Sequence, residues 1–140
     1  MTYDYREKKI VAVLNEELTS GQALNALGHI AVSAGRYAGD IMGKEKIIDT
    51  DGNVHTGISR YPFIVLKASK ERIKQIVKAG KEKGLFVVDY PQEMFDTGPD
   101  DELVVALSKA KEPDIIYHGI IIVGPTKEIS KLTGDLKLWR

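Results

Sequence analysis

Ile10-Val11-Ala12-Val13-Leu14 is an unbroken apolar run, rich in β-branched residues, that stops at the polar Asn15-Glu16-Glu17. A strand with one wet face alternates apolar and polar side chains, whereas a strand without that alternation is covered on both faces. That requirement decides the class of fold, because two covered faces need helices on both sides of a sheet. Neither this run nor Ile120-Ile121-Ile122-Val123 approaches the ~20 apolar residues that cross a bilayer.

The intervening segments supply the helices. Thr19-Ser20-Gly21-Gln22 fits a capping box, in which the Thr19 hydroxyl and the Gln22 side chain satisfy each other's exposed backbone N–H groups, and it predicts a helix over 22–36. With helical periodicity, Leu24, Leu27, Ala31, Ala34 and Ala38 share one face and Gln22, Asn25, His29, Ser33 and Arg36 the opposite one. Residues 61–67 read as a second strand, after which Ser69 caps a helix over 69–83 that Gly84 closes. Residues 85–88 read as a third strand. Pro99 opens a helix over 100–110, although 103–107 also fit a strand. Residues 115–123 read as the fourth strand, and Pro125 starts a last helix that stops at Gly134. The expected fold is an α/β three-layer sandwich, a mixed four-stranded sheet with helices on both faces.

Residues 46–58 interrupt this alternation and read as an inserted hairpin turning at Asp51-Gly52, a dipeptide favoured in type I′ turns. The acids there do not make an EF-hand: Gly52 stands fourth in the loop rather than sixth, and Arg60 occupies the place of the closing glutamate. With 140 residues the chain is sized for a single domain.

Charge and composition exclude several functions. Twenty Lys and Arg balance twenty Asp and Glu, so no overall field draws the chain to phosphate backbones or anionic membranes, and strong nucleic-acid binding is not expected. Locally the charge is uneven, with seven bases against two acids over 67–83 and six acids with no base over 89–102; solvated faces look the same. The absence of cysteine removes disulfides, thiolate zinc sites and a cysteine nucleophile. No two of His29, His55 and His118 share a metal-ligand spacing, so neither a metal nor a cofactor is expected. His118, inside an apolar strand, reads as a satisfied structural histidine, and His55 decorates the hairpin. The charged residues 1–9 lead into no signal-peptide segment, which gives a cytoplasmic expectation.

His29 is the candidate for acid–base chemistry, since an imidazole titrates near neutrality. Asn25 and Ser33 lie one turn away and fit the task of holding its tautomer, while a nucleophile or acid would come from Thr97 or Asp96 in the loop over 91–98. A polar stripe is also what a wet helix face looks like. Gly124-Pro125-Thr126-Lys127 sets backbone N–H groups and a cation at a helix start, a geometry suited to an anion, although it equally makes an ordinary strand-to-helix turn and lacks the long glycine-rich loop of nucleotide sites.

The segment from His118 through Gly124-Pro125-Thr126-Lys127 to Gly134-Asp135-Leu136-Lys137-Leu138 closely resembles the strand, Gly-Pro turn and helix that close type-2 peptidyl-tRNA hydrolases. Gly21-Gln22-Ala23-Leu24-Asn25-Ala26-Leu27-Gly28-His29 resembles that family's glycine-lysine to histidine helix. Asp49-Thr50-Asp51-Gly52-Asn53 with residues 61–68 resembles a related family, domain of unknown function 2000. The resemblance spans nearly the whole chain and implies a type-2 peptidyl-tRNA hydrolase-like fold with a cleft along the polar face of the first helix. It also marks two departures. Gln22 stands where the hydrolases carry lysine, and Asp96-Thr97-Gly98 only loosely matches their aspartate-to-threonine pattern. The expected function is thus a hydrolase-like domain, with His29, Asp96 and Thr97 as catalytic candidates, that does not cleave peptidyl-tRNA at its relatives' rate. The alternative is a non-catalytic, homodimeric module that binds a small anion or a protein through Gln22, Asn25 and Lys127.

Overall fold

In the computed structural model, which describes residues 3–140, β1 (Lys8–Asn15) lies inside a five-stranded sheet. It runs parallel to β4 (Phe63–Ala68) and antiparallel to β6 (Tyr117–Pro125). β5 (Phe86–Pro91) flanks β6 on one edge, and β7 (Lys137–Leu138) flanks β4 on the other. The sheet is mixed, as its sequence predicts, but has five strands rather than four. Two residues are too few to show a hydrophobic period, so β7 is invisible until the chain after Gly134 lies against Leu66 and Lys67.

Side-chain alternation along β1 explains its unbroken apolar run. Ile10, Ala12 and Leu14 pack in one cluster with Ala23, Ala26, Ile30 and Ala34 of α1 (Ser20–Tyr37). Val11 and Val13 pack in a second cluster with Ile73, Ile76 and Val77 of α2 (Lys70–Glu82) and Ile129 of α5 (Thr126–Thr133). β6 divides likewise, Ile121 and Val123 going to the first cluster and Ile120 and Ile122 to the second. Every residue from Ile10 to Leu14 is at most 2% exposed. Truncating Ile10 or Leu14 to alanine would cost about 2–5 kcal/mol.

The Thr19–Gln22 capping box forms, with both reciprocal hydrogen bonds present. Beyond it, Leu27, Ala31, Ala34 and Ala38 of the expected face pack in or against the core, but the centre of the buried face is shifted and Leu24 is left outside. Ala23, Ala26, Ile30 and Ala34 are buried, while Leu24 is 68% exposed. Close approach is the reason: a side chain on Gly119 of β6 would meet Leu14 at 3.0 Å and Ile30 at 3.6 Å, so the small-residue face of α1 is the one that fits.

Residues 92–96, expected as loop, form a short helix α3 (Gln92–Asp96) behind Pro91. Residues 103–107 are helical, within α4 (Asp100–Ser108), which excludes their strand alternative. The expected hairpin pairs β2 (Lys46–Ile48) with β3 (Val54–Thr56), apart from the main sheet. Its turn is not type I′, because that turn needs positive φ at both central residues and here Gly52 has φ 85° with no non-glycine residue in that region. Asp49 N–H instead donates to Asn53 O across three residues, with Gly52 as the left-handed position of a bulged turn. Among the described residues no helix is long and apolar enough to cross a membrane.

Candidate functional site

The carboxyl ends of the parallel strands β1 and β4 fall at one end of the sheet, where α/β folds place ligands outside their strands. Asn15, the last residue of β1, is a polar side chain only 2% exposed. The antiparallel register that pairs Leu14 with Gly119 brings Asn15 beside His118 of β6. Asn15 Nδ2 lies 3.1 Å from His118 Nδ1, and His118 Nε2 lies 2.6 Å from Gln92 Oε1 at the start of α3. Gln92 Nε2 in turn donates to Asp96 Oδ1 at 2.9 Å.

The direction of every bond in this chain follows from its ends. The Glu17 backbone N–H can only donate, and it donates to Asn15 Oδ1 at 3.1 Å, so Asn15 presents its NH2 to His118. Nδ1 must then accept, which leaves the proton on Nε2 to be donated to Gln92 Oε1. Gln92 therefore offers its own NH2 to Asp96, whose carboxylate can only accept. His118 is thus fixed as the neutral Nε2–H tautomer. Burial pushes its pKa below the ordinary histidine value, the Lys70 ammonium adds to this, and Asp96, Glu17 and Glu93 oppose it.

Aromatic rings continue from His118 across the mouth of the strands. His118 meets Phe95 edge-on at 5.3 Å, Phe95 meets Tyr90 at 4.9 Å, and Tyr90 lies 6.0 Å from His29 on α1. This ridge separates two clefts. One, of about 440 Å³, has His118, Asn15, Gln92 and Phe95 on its inner side and Glu17 and Gln22 towards α1. The other, of about 390 Å³, lies between Asn25 and His29 on α1 and Met94, Thr97 and Asp100 beyond α3. Tyr90 OH donates to Asn25 Oδ1 at 3.4 Å between them, and burial pushes its pKa up. Among the described residues no lysine or arginine lines either cleft.

The expected site residues are therefore divided. His29, Asn25 and Thr97 share the second cleft. Thr97 spends its hydroxyl proton on the Glu93 carbonyl at 2.8 Å, which fixes the end of α3. Asp96 belongs instead to the His118 chain, through Gln92. Gln22 faces the first cleft, its carbonyl accepting from Thr19 N–H at 3.1 Å as part of the capping box. Lys127 belongs to neither: it follows Pro125, at the opposite end of β6 from His118, roughly 24 Å away at the usual rise per strand residue. The helix start after Gly124-Pro125 is tied to the amino-terminal segment, Thr126 Oγ1 donating to Arg6 O at 2.6 Å. Lys127 is thus no partner of Gln22 and Asn25, and these clefts offer no cation to the expected anionic ligand.

His118 is satisfied, as its sequence context suggests, but by side chains that line a cleft rather than by the core. Asn15, Gln92, Tyr90 and Phe95 escaped the reading of the sequence. Asn15 alone carries a local signal, a polar residue directly after a doubly covered strand. His55 stays on the hairpin, 2.9 Å from Asp49. Among the described residues no group of three or more His, Asp and Glu is placed to hold a metal ion.

No curated protein matches the chain. A solved structure of a protein of unknown function from Agrobacterium tumefaciens strain C58 is 25% identical with a TM-score of 0.86, over 96% of this chain and 98% of that one. The family described as Protein of unknown function (DUF2000) matches residues 8–140, from the first core strand to the last residue, and the chain belongs to that family.

Proposed function

We propose that this chain is one ligand-binding domain with the three-layer architecture of type-2 peptidyl-tRNA hydrolases and without their reaction, residues 46–58 being an insertion in it. One observation carries the reading: among the described residues, the two clefts on either side of the aromatic ridge are lined by carboxylates and amides and by no cation, the basic residues at these strand ends, Lys67, Arg72 and Lys137, lining a separate groove. A tRNA phosphate backbone is held by lysine and arginine, and an ester's developing oxyanion by fixed donors or a cation. Gln22, in the place of the hydrolases' lysine, commits its carbonyl to the helix cap. The ligand is a small polar molecule that brings an N–H donor to Glu17 and an apolar ring to Phe95, an aryl-alkyl ammonium being the simplest form.

Two assays test this. N-acetylated aminoacyl-tRNA should remain intact with the purified protein; turnover abolished by His29→Ala would overturn the reading. Titration with 2-phenylethylamine should shift the NMR signals of His118 and Phe95, and phenylacetate should not; the reverse order would also overturn it.

A second reading rests on His29, which packs on Tyr90 and makes no hydrogen bond among the described contacts. In it His29 is a general base on a small ester or amide, beside Thr97 and with Asp96 across the ridge. Esterase activity lost in His29→Ala and kept in Thr97→Ser would favour it.

A further inference from the structure

The inserted arm borders a cavity of about 590 Å³, well away from the strand-end clefts and within the ~300–1,000 Å³ of small-molecule sites. Its legs are held as a ladder: Gly43 N–H donates to Ile58 O at 2.7 Å, Arg60 N–H to Ile41 O at 2.8 Å and Gly57 N–H to Glu45 O at 2.9 Å. Met42, Ile47 and Ile58 make an apolar wall, and Ile47 and Ile58 are 51% and 74% exposed. Two cations, Lys44 and Arg60, line the same space.

Arg60 is held as a binding group would be. Its guanidinium stacks on the rings of Tyr3 at 4.5 Å and Tyr61 at 5.3 Å. One N–H donates to Asp40 at 2.9 Å, and Nε–H is buried with no hydrogen-bond partner. The two rings, set edge-on to each other, cover much of the guanidinium, which is 20% exposed, while Asp40 is an exposed partner that can be displaced at little cost. A planar two-oxygen acceptor matches the guanidinium fork, and hydrocarbon behind it would cover the wall of Met42, Ile47 and Ile58. A doubly charged phosphate suits the place less, with Asp40 adjacent and apolar walls around it.

We infer that the arm carries a second binding site, independent of the strand-end clefts, for a small carboxylate with an apolar body. Arg60 and Lys44 take the carboxylate, and Met42, Ile47 and Ile58 take the hydrocarbon.

The test is an NMR titration with octanoate, read on the methyl groups of Met42, Ile47 and Ile58. Octanoate should shift them saturably, acetate should bind at least about tenfold more weakly, and octylamine should leave them unmoved. Arg60→Gln should weaken octanoate about tenfold or more, the share of a charge-assisted pair. Because that variant also removes the ring stack, Lys44→Gln and Ile58→Ser, both at exposed positions, are read beside it and should each weaken octanoate severalfold. No saturable shift, equal shifts with octylamine, or wild-type affinity in both the Lys44 and Ile58 variants would overturn the site.

Discussion

Asn15→Asp should reverse the way His118 responds to pH. In the native chain, protonating His118 sets an Nδ1–H against the Asn15 NH2 with 3.1 Å between the nitrogens, because the Glu17 N–H holds that amide in place. The folded pKa therefore lies below the unfolded one, in keeping with the downward push that burial gives it. As pH falls below about 6.5 the unfolded chain takes the proton first, and stability drops by up to about 1.4 kcal/mol per pH unit until the folded pKa is reached. Above that window this group contributes no slope. With aspartate at position 15, one oxygen keeps the Glu17 N–H and the other faces Nδ1, so the imidazolium has acceptors on both ring nitrogens. The folded pKa then rises above the unfolded one. The stabilisation is complete below about 6.5 and is lost as pH climbs through the raised value, with the same limiting slope. Urea unfolding at half-unit intervals from about pH 5.5 to 8, taken as the difference between the two proteins, isolates this group from the other carboxylates. Long-range proton–nitrogen spectra of the imidazole read the tautomer directly. A native His118 protonated on Nδ1, a native midpoint at or above about 6.5, or parallel stability profiles would refute the bond directions derived above.

Other consequences are as direct. Asp49 accepts from His55, from the Asn53 backbone and side chain and from the Asp51 backbone, and its pKa is lowered to about 2. What its charge contributes to the hairpin is complete above the ordinary carboxylate range and lost as pH falls through that value; a carboxyl carbon titration with an ordinary midpoint near ~4 would contradict this. Gly57→Ala should open the arm and spare the sheet, because the added Cβ would collide with the Lys44 carbonyl oxygen. Hydrogen exchange should then quicken in 44–58 and not in β1 or β6. Gly80→Ala gives α2 a better helix former, worth ~1 kcal/mol, but its Cβ would lie 2.8 Å from Val87 and 2.9 Å from Ile122. Overpacking of ~1–3 kcal/mol should outweigh the gain, so a raised unfolding midpoint would show the sheet yielding more than its packing suggests.

The sequence by itself determined whatever depends on neighbours along the chain. The doubly covered strand at 10–14, the capping box at Thr19 and Gln22 and the Ser69 cap are local patterns, and each has the structure its pattern demands, while the hairpin forms where its pattern puts it but around a different turn. Tertiary structure decided what depends on distant partners. The apolar face of α1 is broad, and the close approach of Gly119 centres it on Ala23, Ala26 and Ile30 and leaves Leu24 outside. Residues 137–138 become a strand only because β4 has a free edge. The candidate site went the same way. His29 was legible because an imidazole on a polar stripe is a local feature. The chain from Asp96 through Gln92 and His118 to Asn15 was not, because it spans 103 positions between Asn15 and His118. No periodicity encodes which strands lie side by side; that is set by packing the whole sheet at once, and the pairing of β1 with β6 alone brings those two residues within hydrogen-bonding distance.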